Sequence, residues 1–177
     1  MSTQTVTEAL AEIKTIVKRL DKKHEFINGY LVRFSQMKDP HEKEGGSAEL
    51  IRRERQASAD LWKRLVDLRL AIQQANHRTP VTVAGTTKML AEWLTWRKEV
   101  APTVVKHLTN IRQNILANRK RFNDEVGKAK VQGLTVDDLI VNVDEAALAK
   151  EAEELETILS ELDGQLSLKN ATVMVDV

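Results

Sequence analysis

Asparagine, arginine, threonine and tryptophan gather once in this sequence in a pattern that could hold a ligand. A polar loop with Asn76, Arg78 and Thr79 runs toward Thr86, Thr87, Trp93, Trp96 and Arg97 at the start of a helix. Free N–H groups at a helix N-terminus, threonine hydroxyls and a guanidinium suit a phosphate or carboxylate, and an indole offers a stacking face. The ligand class for Asn76, Arg78, Thr86, Thr87, Trp93, Trp96 and Arg97 is therefore a small anion such as a nucleotide. A plainer use competes and weighs more. The threonines cap the helix, one tryptophan fills a core, the other meets a subunit, and Arg97 covers apolar surface with its stem.

Other chemistry finds less material. His24, His41, His77 and His107 fall on separate elements, none with a second ligand at helical i, i+4 spacing, so no metal site is expected. The chain has no cysteine, which removes disulfides, thiolate ligands and a cysteine nucleophile. It has no glycine-rich phosphate loop and no nucleophile elbow. The expectation is a non-enzymatic protein without a cofactor. Two basic clusters, Arg52-Arg53-Arg55 and Arg119-Lys120-Arg121, could meet a phosphate backbone, but they are short and lack interleaved aromatics. Nucleic acid is the lesser reading of them, behind solvated faces and ion pairs.

The elements around these residues read as helices. Thr5 with Glu8 three residues on is a capping-box pattern, and Leu10, Ile13, Val17, Leu20, Ile27, Leu31 and Phe34 recur at helical spacing, predicting a helix from about Val6 to Met37. Pro40 and the Gly45-Gly46 pair end it in an exposed turn. From Leu50 the positions Glu54, Ser58, Leu61, Leu65, Leu68, Ile72 and Ala75 step by four and three, the spacing of a coiled-coil seam, so a hairpin over 6–75 is expected. Glu54 and Ser58 make its loop end polar, so the hairpin should be loosest over 38–58, and its tip suits docking.

A central loop over 76–85 then departs from helical periodicity toward an extended, β-branched pattern. Helices over 86–126 follow, the first capped by Thr86 or Thr87 and interrupted or kinked by Pro102, the next starting near Thr103 with Arg112, Arg119, Lys120 and Arg121 on a basic flank. Residues 139–143 read as a short strand. An acidic helix over 144–169 carries Leu148, Ala152, Leu155, Leu159, Leu162 and Leu166 at four-and-three spacing. Its extended tail, 172–177, is expected to pair with 139–143 in a small β-hairpin or to add to a neighbouring subunit.

Composition agrees with an all-α fold of long antiparallel helical hairpins in a single domain. Among 177 residues, 42% are apolar and only 4% aromatic, with seven glycines and three prolines, which leaves few turns for a sheet. No run is apolar enough for a membrane span and no secretory signal opens the chain, so a cytoplasmic location without membrane contact is expected. The net charge of +1 conceals an uneven distribution: residues 1–133 hold 25 Lys/Arg against 15 Asp/Glu, while 134–177 hold 2 against 11. The acidic last helix is therefore expected to lie against basic ones, in its own subunit or another.

The first hairpin closing in Ile72-Gln73-Gln74-Ala75-Asn76, then Gly85 with Leu90-Ala91-Glu92, then Leu162-Asp163, Leu166 and Asn170, together resemble the septicolysin-like family of small bacterial and phage proteins. Together with the first hairpin these positions cover about two thirds of the chain. Asp39-Pro40-His41-Glu42 and the spacing from Gly85 to Arg97 depart from that family's pattern. The resemblance implies helical hairpins and oligomers and supplies no reaction. The leading expectation is a homo-oligomeric helical assembly or binding protein, because helices this long seldom bury their stripe within one small monomer. Sequestration of an anionic ligand and nucleic-acid binding are the alternatives.

Overall fold

The computed structural model describes residues 3–127 and 139–176. The fold is all-α, with two small two-stranded sheets. The chain divides into two compact units, Met1–Thr79 with Ser167–Val177, and Pro80–Leu166, where the sequence reading places one helical domain.

In the first unit, strand β1 (Thr3–Thr5) leads into helix α1 (Val6–Gly29), and helix α2 (Gly46–Arg78) returns along it. The capping box forms as expected: Thr5 Oγ1 accepts from the Glu8 N–H at 3.2 Å, and the Glu8 carboxylate accepts from the Thr5 N–H at 2.8 Å. Contacts Glu12–Arg64 and Lys23–Glu54 run in opposite directions along the two helices, so they are antiparallel. Val6, Ala9, Ile16, Leu20 and Leu68 form the core with Val175. Leu61, Leu65, Ile72 and Ala75 pack around it as the four-and-three spacing predicts. At the polar end of the seam Ser58 is buried, its hydroxyl donating to the Glu54 carbonyl at 2.9 Å.

Three expectations for this unit are corrected. Helix α1 ends at Gly29, not near Met37, because Asn28-Gly29 is a helix stop and Tyr30 turns to pack its ring on Phe26 and His41. Helix α2 starts at Gly46, several residues before Leu50. The tail does not pair with 139–143. Its strand β4 (Met174–Asp176) lies antiparallel to β1, with Thr3 opposite Asp176. The Val6 N–H donates to the Val173 carbonyl at 3.0 Å, so the start of α1 itself draws the tail in. Residues 139–143 take no strand conformation. Val177, also placed in the expected strand, lies outside the described residues.

The loop before α2 is closed by one carboxylate. Asp39 accepts from the Ser47 hydroxyl at 2.6 Å, the Ser47 N–H at 3.0 Å and the His41 N–H at 2.9 Å. These donors, the Ser47 hydroxyl foremost, hold its pKa down at about 2, against the opposing effect of burial, with Arg33 at 3.7 Å adding a smaller pull. A carboxyl lowered on folding stabilises the folded state above its unfolded value, near 3.8, and that contribution is lost as pH falls through about 2. Acidification from pH 4 to pH 2 is therefore expected to release the loop. Protection of the His41 and Ser47 amides, relative to intrinsic exchange at the same pH, should fall across that window in the native protein and be low throughout in Asp39→Ala. Unchanged protection down to pH 2 would contradict the assignment.

In the second unit, strands β2 (Pro80–Val83) and β3 (Thr86–Met89) form a hairpin over Ala84-Gly85, both at positive φ as a two-residue type I′ turn needs. The extended pattern read from the sequence is thus a real strand, though Asn76, His77 and Arg78 belong to α2 instead of the expected loop. Helix α3 (Leu90–Thr95) continues through a π-helical turn, Trp96–Val100, into helix α4 (Ala101–Gly127). The interruption or kink expected at Pro102 takes the form of this π-helical turn just before it, and the chain stays helical through the proline. The Ala101 N–H reaches back to the Trp96 carbonyl, and this wider turn makes room for a ring that lacks an N–H. The side chain of Val126, predicted on the apolar stripe of α4, lies outside the described residues.

Helix α5 (Glu145–Thr172) starts under an Asp144 cap, whose carboxylate accepts from the N–H groups of Ala146 and Ala147. Arg119–Glu145 and Arg97–Asp163 fix α5 antiparallel to the helix of α3 and α4, so the acidic helix does lie against basic residues. Leu148 and Leu155 pack with Ala101 and Leu108, while Leu162 and Leu166 pack with Val81, Val83, Leu90 and Trp93.

Candidate functional site

The seven residues read as a ligand set fall on different elements and in both units. Asn76 and Arg78 lie in the last turn of α2, the first half-buried and the second exposed. Thr86 and Thr87 do not cap a helix. They stand exposed on β3, where Thr87 shares a hydrogen bond with Thr82 across the hairpin at 2.8 Å. The helix instead starts after Met89, whose N–H donates to the Glu92 carboxylate at 2.9 Å. Trp93 is buried, its indole N–H donating to the Val81 carbonyl at 3.0 Å, and Trp96 meets it edge-on at 5.7 Å between centroids. Arg97 pairs with Asp163 at 2.8 Å. In this unit the indoles are built into packing and the guanidinium already holds a carboxylate.

The basic clusters are also partly neutralised. Arg52 and Arg53 both bind Glu49, at 2.9 and 3.2 Å, which lowers the Glu49 pKa to about 2 through those hydrogen bonds. Arg119 grips Glu145 with both terminal nitrogens. Among the described residues no group of three or more His, Asp or Glu could hold a metal ion, and no helix is long and apolar enough to cross a membrane.

The surface that stands out lies at the tip and along one side of the first hairpin. Leu31, Val32, Phe34 and Met37, beyond the end of α1, are 59, 89, 78 and 59% exposed. They line or adjoin a hollow of about 410 Å³ that also touches Tyr30 and Pro40. Beside it, a groove of about 740 Å³ opens between the helices, lined by Ile27, Ile51, Arg55 and Ala59 with His24 and Trp62. The last two rings stand 5.6 Å apart. Volumes of this size and mostly apolar linings are typical of binding clefts.

Leu10, Val17, Leu31 and Phe34 belong to the helically spaced apolar series of the first helix, yet all four are exposed. The Asn28-Gly29 stop was the available signal for the last two. For the first two it was a second stripe, one step around the helix from the core positions Ile13, Ile16 and Leu20. The chain is a two-unit helical-hairpin protein whose first hairpin carries an exposed apolar surface at its tip. No family model, curated protein or solved structure matches the chain.

Proposed function

We propose that this is a non-enzymatic helical assembly protein that associates with copies of itself through the tip of its first hairpin. The observation that carries the reading is the cluster Leu31, Val32, Phe34 and Met37, standing in water where a monomer gains nothing from them. A second copy suits this tip because its charges balance. Arg33, Lys38 and Lys43 are set against Asp39, Glu42 and Glu44, so two tips can meet face to face without net repulsion.

Native mass spectrometry and light scattering on the full chain test this. The protein should be a symmetric oligomer at micromolar concentration. Val32→Asp with Phe34→Asp should weaken association by about 100-fold or more, since each apolar side chain buried is worth roughly 1.5–3 kcal/mol. Circular dichroism should be unchanged, because neither residue belongs to a core. A native protein that is monomeric throughout the accessible range would overturn the reading.

A further inference from the structure

The two sides of the α1–α2 hairpin differ. One is bridged by charge: Arg64 donates to both oxygens of Glu12, at 2.8 and 3.1 Å, and Lys23 binds Glu54. The other is open and follows a four-and-three spacing on both helices, Leu10, Lys14, Val17, Asp21 and His24 on α1, and Arg55, Ala59, Trp62, Val66 and Arg69 on α2. All ten residues are exposed, and the His24–Trp62 ring contact places the two rows side by side. Such a double row is the surface against which a third helix packs its knobs.

We infer that this open side docks an amphipathic helix with acidic flanks, belonging to a partner protein. Charge selects the occupant. Lys14, Arg55 and Arg69 stand against the single acid Asp21, and these cations make no ion pair among the described residues. Arg52 at the groove's edge is already held by Glu49. A second copy of the same side would set cations against cations, whereas glutamates flanking an apolar stripe would meet Arg55 and Arg69 on one rim and Lys14 on the other. The acidic α5 of another copy is a poor substitute, because its leucine stripe is spent inside the second unit. The groove between Ile27, Ile51 and Trp62 gives the incoming helix a socket for one bulky side chain.

The test is fluorescence anisotropy of the full chain with a labelled synthetic peptide of about three heptads, leucine at the seam positions and glutamate on both flanks. Binding should weaken by about tenfold or more when lysine replaces the peptide's glutamates, and by as much when Val66→Asp is introduced in the protein. Arg55→Glu with Arg69→Glu should reverse the preference, favouring the lysine peptide. Val32→Asp with Phe34→Asp should leave peptide binding unchanged, which separates this side from the tip. Equal binding of both peptides, binding of neither, or a fall in native mass caused by Val66→Asp would overturn the inference, the last because it would seat a second copy there.

Discussion

Leu68→Asp is expected to unfold the first unit. Leu68 is fully buried at the meeting of α1, α2 and the returning tail, among Val6, Ala9, Ile16, Leu20 and Val175. A carboxylate there loses its water and gains no partner within that cluster, while the cavity left by the leucine adds its own cost. Together these should remove roughly 4 kcal/mol or more, a large share of the 5–15 kcal/mol that holds a typical domain together. Leu65→Asp should cost less, because Leu65 is only half-buried and its charge can reach solvent along the edge of the seam. Thermal melting with amide exchange over residues 6–29 and 46–78 reads both effects. A Leu68→Asp protein that melted within a few degrees of the native one would show that the two helices do not share this core.

Trp93 carries the comparable weight in the second unit, and two substitutions separate its contributions. Trp93→Ala should cost about 3–5 kcal/mol, since the ring fills the space between Val81, Val83, Leu90 and Leu162 and braces Trp96. Trp93→Phe keeps most of the apolar contact but removes the indole donor, leaving the Val81 carbonyl buried without it at a cost of about 1–3 kcal/mol. Protection of the β2–β3 amides should fall in both variants, and a further hold on the hairpin, from the Ala84 N–H to the Glu161 carboxylate at 2.8 Å, should remain. If Trp93→Phe melted like the native protein, the hydrogen bond would contribute nothing to anchoring the hairpin.

These two positions also show what sequence reasoning could reach. Leu68 and Leu162 sit on stripes whose four-and-three spacing fits only a helix buried along one side, so their burial follows from pattern. One of Trp93 and Trp96 was expected to fill a core too, but the sequence could not assign the indole N–H. The partner is a carbonyl on a strand twelve residues earlier, and that distance in space depends on the hairpin turn at Ala84-Gly85. Thr86 and Thr87 misled for a related reason. Threonine is both a good helix cap and a good strand residue, and only pairing with Pro80–Val83 decides between the two.

Local chemistry, acting over three or four residues, was enough to specify the all-α class, the Thr5–Glu8 cap, the cores of α2 and α5 and the strand-like break before β3. Everything that depended on which segments meet across long separations required the folded chain. The tail pairs with Thr3–Thr5 and not with 139–143, a contact that joins Thr3 and Asp176 across 173 residues of sequence. Pro102 was absorbed because a π-helical turn precedes it, and the Ala101 N–H reaches back to the Trp96 carbonyl. Leu10, Val17 and Trp62 stayed in water because the hairpin has two helices, and two helices can cover only one stripe of each.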